Sequence, residues 1–507
     1  MSFNLATILG ESASAHPDRP LCHIGDQTFS YADVDQLSGR IAAGLRKLGI
    51  RPGDKVAVQL PNSSEFVVAY FGILKAGAVL VPLNPMLRSP EISYHLRDCQ
   101  ATLFITFEDC ADEAIDAAQG IPGLLATYVV NLPESHQLST GTTPFDQLYA
   151  AGDGGDVEPT HAEDTAVIIY TSGTTGKPKG AELTHFQLFM NCTLSGQLAG
   201  FGGDDVVPVA QPMFHLFALS GLLGAAVRYG ASLVLMPRFE IDNMLDVLAN
   251  RRCTIFSGVP PMYVALLGAD VGDRDLSALR LGLSGGSPIP GEVIRAVEAK
   301  FPTMVILEGY GLSESGPVTI HSVSATERKV RSVGKPIWGV EIKIVDDNDA
   351  ELPYGADHVG EIIIRGHTVM KSYYRNPGAT AQAMRGGWFH TDDLGYRDED
   401  GYLFIVDRKK DLITRGGYKI YPREVEEALY EHPSIAHAAV IGTHYENVGQ
   451  DVLAFVVAKT NHTLTPDDVR AHCHQRLAAY KHPTEIRILD ALPIGPTGKV
   501  LKKQLRP

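Results

Sequence analysis

The chain reads as an α/β protein whose parallel-sheet core gives way to a small antiparallel sheet or barrel and then to a mixed α+β lobe. Three features of the sequence predict this. Apolar strand-like runs alternate with helical pattern through the first half of the chain, short alternating segments replace them after about Gly334, and a helix–strand mixture follows from Arg408. At 507 residues the chain is also too long for one core, since a domain takes roughly 100 to 200 residues; two to four lobes are expected.

Taken in order, a helical pattern after Phe29 leads into the apolar strand KVAVQL ending at Pro61, then an apolar helix, then AVLVPLN. That rhythm is a βαβ unit and implies parallel sheet. Residues 103–106, 232–236 and 279–283 read as further strands with helical crossovers between them. The stretch AGDGGDVEPTHAED, 151–164, has the composition of an exposed connector. VEIKIVD and GEIIIRG alternate in the manner of antiparallel strands. Beyond Arg408 the pattern gives a helix over 423–430 and strands over 438–442 and 453–458. The run DRKKD, 407–411, is charged between apolar segments and reads as an interdomain hinge.

Composition narrows the function. With 44% hydrophobic and 20% charged residues, 50 Gly and 31 Pro, the chain is that of a globular protein rich in turns. A net charge of −15 argues against a nucleic-acid or anionic-membrane surface, which needs a basic patch. Cys22, Cys99, Cys110, Cys192, Cys253 and Cys473 form no CxxC pair and read as free thiols of a reducing compartment. The N-terminus lacks a basic segment followed by an apolar one, so the expected location is cytoplasmic. The most apolar run, 217–227, is about half the length that spans a bilayer, so no transmembrane segment is expected.

The stretch richest in chemistry is YTSGTTGKPKG, 170–180, which follows the apolar strand AVII. Its glycines let backbone N–H groups approach phosphate oxygens, its hydroxyls suit phosphate or magnesium, and its lysines neutralise charge. It is not a Walker loop. Only Thr174 and Thr175 separate Gly173 from Gly176, and Pro178 follows Lys177 where Ser or Thr is required.

This loop resembles the signature of the adenylate-forming (AMP-binding) superfamily of acyl-CoA synthetases, peptide-synthetase adenylation domains and beetle luciferases, and further motifs extend the likeness from about residue 20 to the end. By that resemblance Thr171, Ser172, Gly173, Thr174, Thr175, Gly176 and Lys177 hold the nucleotide phosphates. PMFH, 212–215, resembles the aromatic-His element, with His215 beside the acyl carboxylate. SGGSP, 284–288, is similar to the adenine-side loop, giving Gly285, Gly286 and Ser287. EGYGLSES, 308–315, is similar to the adenine and magnesium motif: Glu308, Gly309, Tyr310 stacking on the base, Gly311, Ser313 near the α-phosphate, and Glu314 carrying Mg²⁺ with Thr174. GWFHTDDLGY resembles the ribose motif through Asp393, with Asp392 where Gly is usual, and VDRKKD supplies Arg408 as second ribose contact and Lys410 as pivot. GGYKIYP is like the loop that lines a pantetheine tunnel, through Gly416, Gly417 and Tyr418, and PIGPTGKV matches the element carrying the catalytic Lys499.

The likeness implies a large N-terminal domain, residues 1–407, with two doubly wound mixed sheets and a small β-barrel-like portion, and a small mobile α+β cap, residues 408–507. It implies an ATP-dependent ligase that forms acyl-AMP and pyrophosphate, then passes the acyl group to coenzyme A, with Glu314, Thr174, His215 and Lys499 as catalytic residues. The acid pocket would comprise Phe214, His215, Leu216, Phe217, Ser220, Gly285 and Gly309. Glu308 before GYG points to a medium- or long-chain fatty acid, whereas PMFHLFAL equally suits an aryl acid. An amine acceptor or a stand-alone adenylation enzyme would keep the same motifs, and a homodimer is compatible with them. Two rivals come from other classes. GLSGG fits a hydrolase nucleophile elbow at Ser284, and a non-catalytic nucleotide-binding module would bind ATP without turnover. His472 and His474, two apart on a helical pattern, point to different sides and suggest no metal site.

Overall fold

The computed structural model describes residues 3–131, 142–151, 156–171, 177–322, 324, 326–415, 417–445, 449–495 and 498–506. An eight-stranded mixed sheet forms its largest layer. Thr165–Thr171, Val79–Pro82, Lys55–Gln59, Ala101–Phe107, Ala126–Val130 and Thr143–Pro144 run parallel in that spatial order. Lys179–Thr184 and then Ser372–Tyr373 add antiparallel strands at one edge. The βαβ rhythm of the sequence is thus present. Its first helices start at side-chain caps: Ser30 closes a capping box with Asp33 for Tyr31–Lys47, and Ser63 caps Ser64–Lys75. The second of these is buried all round, and Phe66 and Phe71, fully enclosed, are each worth about 1.5–3 kcal/mol of burial.

A second layer has the parallel strands Ile255–Gly258, Leu281–Ser284 and Val305–Leu312, then the antiparallel Gly316–His321 and Lys335–Pro336. Beside it lie Val206–Val209, Ser232–Leu235 and Pro20–Ile24, also parallel, with Gln27–Ser30 antiparallel. The backbone N–H of Thr254 donates to the Val206 carbonyl at 3.0 Å and joins the two groups. The alternating segments after Gly334 form the expected small antiparallel sheet: Val340–Val345, Gly360–Gly366, Trp388–Arg397, Met384–Arg385 and Leu403–Arg408.

From Ile413 the chain builds a separate core. Ile413–Arg415, Tyr418–Ile420, Ile435–Tyr445, Gly449–Ala458 and Glu485–Ile488 form a five-stranded sheet covered by helices Pro422–Tyr430 and Pro466–Arg476. Ile413, Val425, Val440, Val456 and Val469 fill the space between. All six cysteines are unpaired. Among the described residues no helix is long and apolar enough to cross a membrane.

One buried side chain ties three segments of the second layer together. Asn62, just beyond Lys55–Gln59, donates through Nδ2 to the carbonyls of Val209, Gln211 and Met236 at 3.0, 2.9 and 3.1 Å, and its Oδ1 accepts from the Met213 N–H at 2.8 Å. The turn that carries Phe214 and His215 is therefore fixed to the end of the first sheet. Replacing Asn62 by Ala would leave the Met213 N–H buried without a partner, and we expect a loss of about 2 kcal/mol of stability in urea titration, since an orphaned buried donor costs roughly 1–3 kcal/mol. Asn62→Asp, which sets a buried carboxyl against the same three carbonyl oxygens, should cost at least as much.

Candidate active site

A cavity of about 1020 Å³ opens where the parallel strands of both layers end, the place where ligands of open α/β sheets lie. Thr171, Lys177 and Lys179 reach it from the hairpin that pairs Thr165–Thr171 with Lys179–Thr184. The residues joining those strands, Ser172, Gly173, Thr174, Thr175 and Gly176, lie outside the described residues, as does Gly416. Phe214, His215, Leu216 and Phe217 form one wall, and Gly285, Gly286, Gly309, Gly311, Ser313 and Glu314 another. Asp392, Asp393, Arg408, Lys410 and Lys499 complete it. Residues nearly 330 positions apart in sequence, from Thr171 to Lys499, thus meet around one space.

Not every expected residue faces it. Ser220 bonds instead to Asn191 at 3.5 Å, and Ser287 stands outside the lining. Tyr310 is buried behind the wall, where its hydroxyl donates to Asp393 Oδ2 at 2.7 Å. Glu308, buried, is not part of the lining. Burial raises its carboxyl to about 7 against the opposing charge of Arg423, whose guanidinium donates to the Ile405 carbonyl and to Glu427. Gly417 and Tyr418 also lie off the cavity, and the exposed Tyr418 ring stacks on Tyr480 at 4.7 Å.

The charged wall is held by few contacts. Glu314 Oε1 accepts from the Thr171 hydroxyl at 2.8 Å and from Tyr373 OH at 3.0 Å. Asp393, 5% exposed, accepts from Tyr310 and pairs with Arg408 Nε at 3.2 Å; burial still pushes its carboxyl above the usual carboxylate range. Asp392 occupies a left-handed conformation, φ +58°, with its N–H bonded to Glu361 at 3.2 Å. That is why Gly is usual there, and why Asp, which tolerates αL better than most residues, keeps the backbone path.

Lys499 arrives on a tight turn in which the Gly495 N–H donates to the Lys499 carbonyl at 2.7 Å. Gly498, φ +75°, packs so closely on Val259 that any Cβ would collide with it. Burial is the main cause that lowers Lys499 to about 8; Arg408 pushes the same way and Asp393 opposes. His215 is lowered to about 4, first by burial and then by Lys499. Its Nδ1 accepts from the Phe217 N–H at 3.4 Å, which leaves the proton on Nε2.

The rival readings fare poorly. Ser284 Oγ is buried with no hydrogen-bond partner in the protein, so no base activates it as a nucleophile. His472 bonds to the Ala428 carbonyl at 2.8 Å, and among the described residues no group of three or more His, Cys, Asp or Glu is placed to hold a metal. Sequence reasoning missed Asn62, Tyr373 and Thr391, whose hydroxyl accepts from the Asp393 N–H at 3.1 Å. Thr391 lies inside the GWFHTDDLGY stretch, which assigned it no role, and Asn62 and Tyr373 belong to no recognisable pattern; a lone Asn after the strand end at Pro61 was the only local signal for the first.

Residues 9–374 match the family model of the AMP-binding enzyme, and residues 424–499 that of the AMP-binding enzyme C-terminal domain. The chain is 34% identical to a long-chain-fatty-acid–CoA ligase of Bacillus subtilis (strain 168), over 99% of this chain and 94% of that one. It is 38% identical to 4-coumarate–CoA ligase 1 of Oryza sativa subsp. japonica, over 94% of this chain and 87% of that one. The crystal structure of an anthranilate CoA ligase in complex with anthranoyl-AMP has the same fold, with a TM-score of 0.92 at 28% identity, covering 99% of this chain and 96% of that one.

Fold, cavity and these likenesses define the class as an ATP-dependent acid–thiol ligase. Within it, the chain belongs to the AMP-binding enzyme family, with both family domains in order.

The electrostatics of the site can be read directly. Competitive labelling of lysines should find Lys499 half-protonated near pH 8. Because Asp393 supports its charge and Arg408 opposes it, Asp393→Asn should lower that midpoint and Arg408→Met should raise it. A midpoint near 10.5 that neither variant moves would contradict this geometry.

Proposed function

We propose that the chain is a carboxylic acid–CoA ligase in which Lys499, Glu314, His215 and the Thr174 loop serve adenylate formation, and in which residues 408–507 move as a unit about Lys410 for the second half-reaction. The observation that carries this reading is Lys499, far along the chain, lying in one cavity with Glu314, Asp393 and Arg408.

A carboxylate is a poor acyl donor because oxide would have to leave. In the first step an oxygen of the acid attacks the α-phosphorus of ATP, and the bridge to the β-phosphorus breaks, releasing pyrophosphate. Lys499 and the lysines Lys177 and Lys179 stabilise the charge that develops, while Asp393 and Arg408 orient the ribose. His215, neutral and with its proton on Nε2, donates a hydrogen bond to the acid and carries no charge. In the second step the thiol sulfur attacks the acyl carbon, AMP leaves, and the thiol proton is lost to solvent.

Magnesium fits the charged wall. Glu314 presents a carboxylate supported by two hydroxyls, which is hard oxygen chemistry. Glu314 and Thr174 would hold a magnesium ion, which when bound would neutralise phosphate charge. For the acid, Leu216, Leu283, Leu307 and Val318 give apolar walls that suit a medium- or long-chain fatty acid. The rings of Phe214 and Phe217 support an aryl acid as the second reading.

Pyrophosphate release across fatty, cinnamic, benzoic and amino acids, each with and without CoA, tests the reaction. Release should depend on an acid and rise with CoA. Lys499→Ala should slow adenylation about a hundredfold, near 3 kcal/mol, as for removal of one preorganised donor. Lys410→Pro should spare pyrophosphate exchange and slow thioester formation; equal loss in both would end the hinge assignment.

A further inference from the structure

The helix Pro422–Tyr430 of the last lobe packs against the strand Leu403–Arg408 of the small antiparallel sheet, and it carries no cap of its own. Tyr421, at its N-cap position, makes no side-chain bond there, and the Arg423 N–H donates instead to Asp407 Oδ2 at 2.9 Å. The first turn of the helix is thus closed by a carboxylate from across the joint. The Arg423 side chain reaches further. It is 8% exposed, with Nη1 donating to the Ile405 carbonyl and Nε donating to Glu427 Oε1 at 3.1 Å, one turn along the helix. Its charge also faces Glu308, buried in the strand Val305–Leu312 of the second layer. A guanidinium so enclosed is costly unless its donors and charge are met, and Ile405 and Glu308 meet them from outside its own lobe.

Arg331 completes the joint from the other side. Its guanidinium pairs with Glu427 Oε2, and its N–H bonds the Glu308 carboxylate. It does so from a left-handed backbone, φ +75°, which glycine adopts freely and a longer side chain adopts only under strain. Glycine would make this turn at less cost, but it could not supply the guanidinium. One carboxylate of the lobe, Glu427, is therefore held by two arginines, Arg423 from its own helix and Arg331 from the body of the chain.

We infer that Arg331, Arg423 and Glu427 form a latch between the body of the chain and residues 408–507, and that the two arginines are positioning residues that hold the lobe where Lys499 enters the cavity. The inference rests on the ligase reading above and adds to it what fixes the lobe for adenylate formation. The turn that carries Lys499 packs on the body through Gly498 against Val259, an apolar contact that sets distance but not direction. The bonds of the latch are directional, so they fix the angle at which the lobe sits. The latch is also graded in strength. Arg423 is enclosed, whereas the Arg331 side chain is 55% exposed, and a pair so open to water is weak enough to part when the lobe leaves for the thiol step.

The test follows the two half-reactions separately, as acid-dependent exchange of pyrophosphate into ATP and as thioester formation from supplied acyl-AMP and CoA. It also follows Lys499 itself, through the pH midpoint of its labelling. Arg331→Gly removes the guanidinium and keeps the turn. It should slow exchange about fivefold, the upper end for a part-exposed pair, and leave thioester formation from acyl-AMP undiminished. The Lys499 midpoint should rise above 8 towards its ordinary 10.5 as the lysine spends time in water. Arg331→Lys, which keeps the charge, should keep most of the exchange rate and the lower midpoint. Arg423→Met, which breaks the enclosed part of the latch, should slow exchange by at least about thirtyfold. Equal slowing of both half-reactions by Arg331→Gly, or a Lys499 midpoint that this variant leaves in place, would overturn the inference. The midpoint does not depend on turnover, so it tests the latch separately from the ligase reading, which would end if the unaltered chain exchanged pyrophosphate with no acid.

Discussion

Asp393 is a carboxylate at 5% exposure, and an isolated charge so buried would give up its ionisation before the fold accepted it. Three groups oppose that outcome: the Tyr310 hydroxyl, the Arg408 guanidinium and, at longer range, Lys499. Tyr310 comes from the second sheet, Arg408 from the last strand of the small antiparallel sheet, and Lys499 from a turn near the end of the chain. The ionised form of Asp393 is therefore a condition on how these layers sit together. The dependence runs both ways, because Lys499 is pushed down by burial and by Arg408, and Asp393 supports its charge. Charge balance at one buried carboxylate couples the arrangement of the sheets to the protonation of the lysine that faces the cavity.

The neutral wall is positioned by backbone constraints of a different kind. Asn62 satisfies carbonyls at two strand ends and one N–H of the turn before Phe214, so the wall follows the first sheet. Beyond that turn, Phe217–Gly224 winds as a π-helix, a wider form found mostly in short stretches near functional sites. Gly311 makes the corresponding contact on the other wall, where any Cβ would collide with the Gly316 carbonyl. Backbone closeness of this sort leaves room for ligand but none for larger residues.

Much of this was legible in the sequence, for identifiable reasons. Strands such as Lys55–Gln59 and Gly449–Ala458 announce themselves by apolar runs between turn residues, and the antiparallel pair Val340–Val345 and Gly360–Gly366 by alternation. The motif residues Glu314, Asp393 and Lys499 could be found because each sits in a short stretch with a recognisable resemblance. What the sequence hides is direction. Glu308 belongs to the same motif as Glu314 and stands an even number of residues from it, which on one regular strand would put both on the same face; only Glu314 lines the cavity, because the strand Val305–Leu312 shifts register between Tyr310 and Leu312 and ends before Glu314. Asn62 and Tyr373 act through partners 151 and 59 residues distant, which leaves no local pattern.

The two ends of the cavity differ in what they can hold, and His215 stands where they meet. Burial, and after it Lys499, keeps it neutral, so the imidazole presents a dipole where a cation would be costly beside an ammonium. Towards Lys499, Arg408 and the hairpin lysines, the lining has charge enough to stabilise phosphate oxygens. Towards Phe217, Ser284 and His321 it has hydrogen-bonding capacity but no net charge. A ligand that spans both must itself be polarised along its length, anionic at one end and neutral at the other. An acid group bound at His215, as proposed, would meet that demand, because its oxygens would face the cationic wall while the rest of the molecule stayed among uncharged groups.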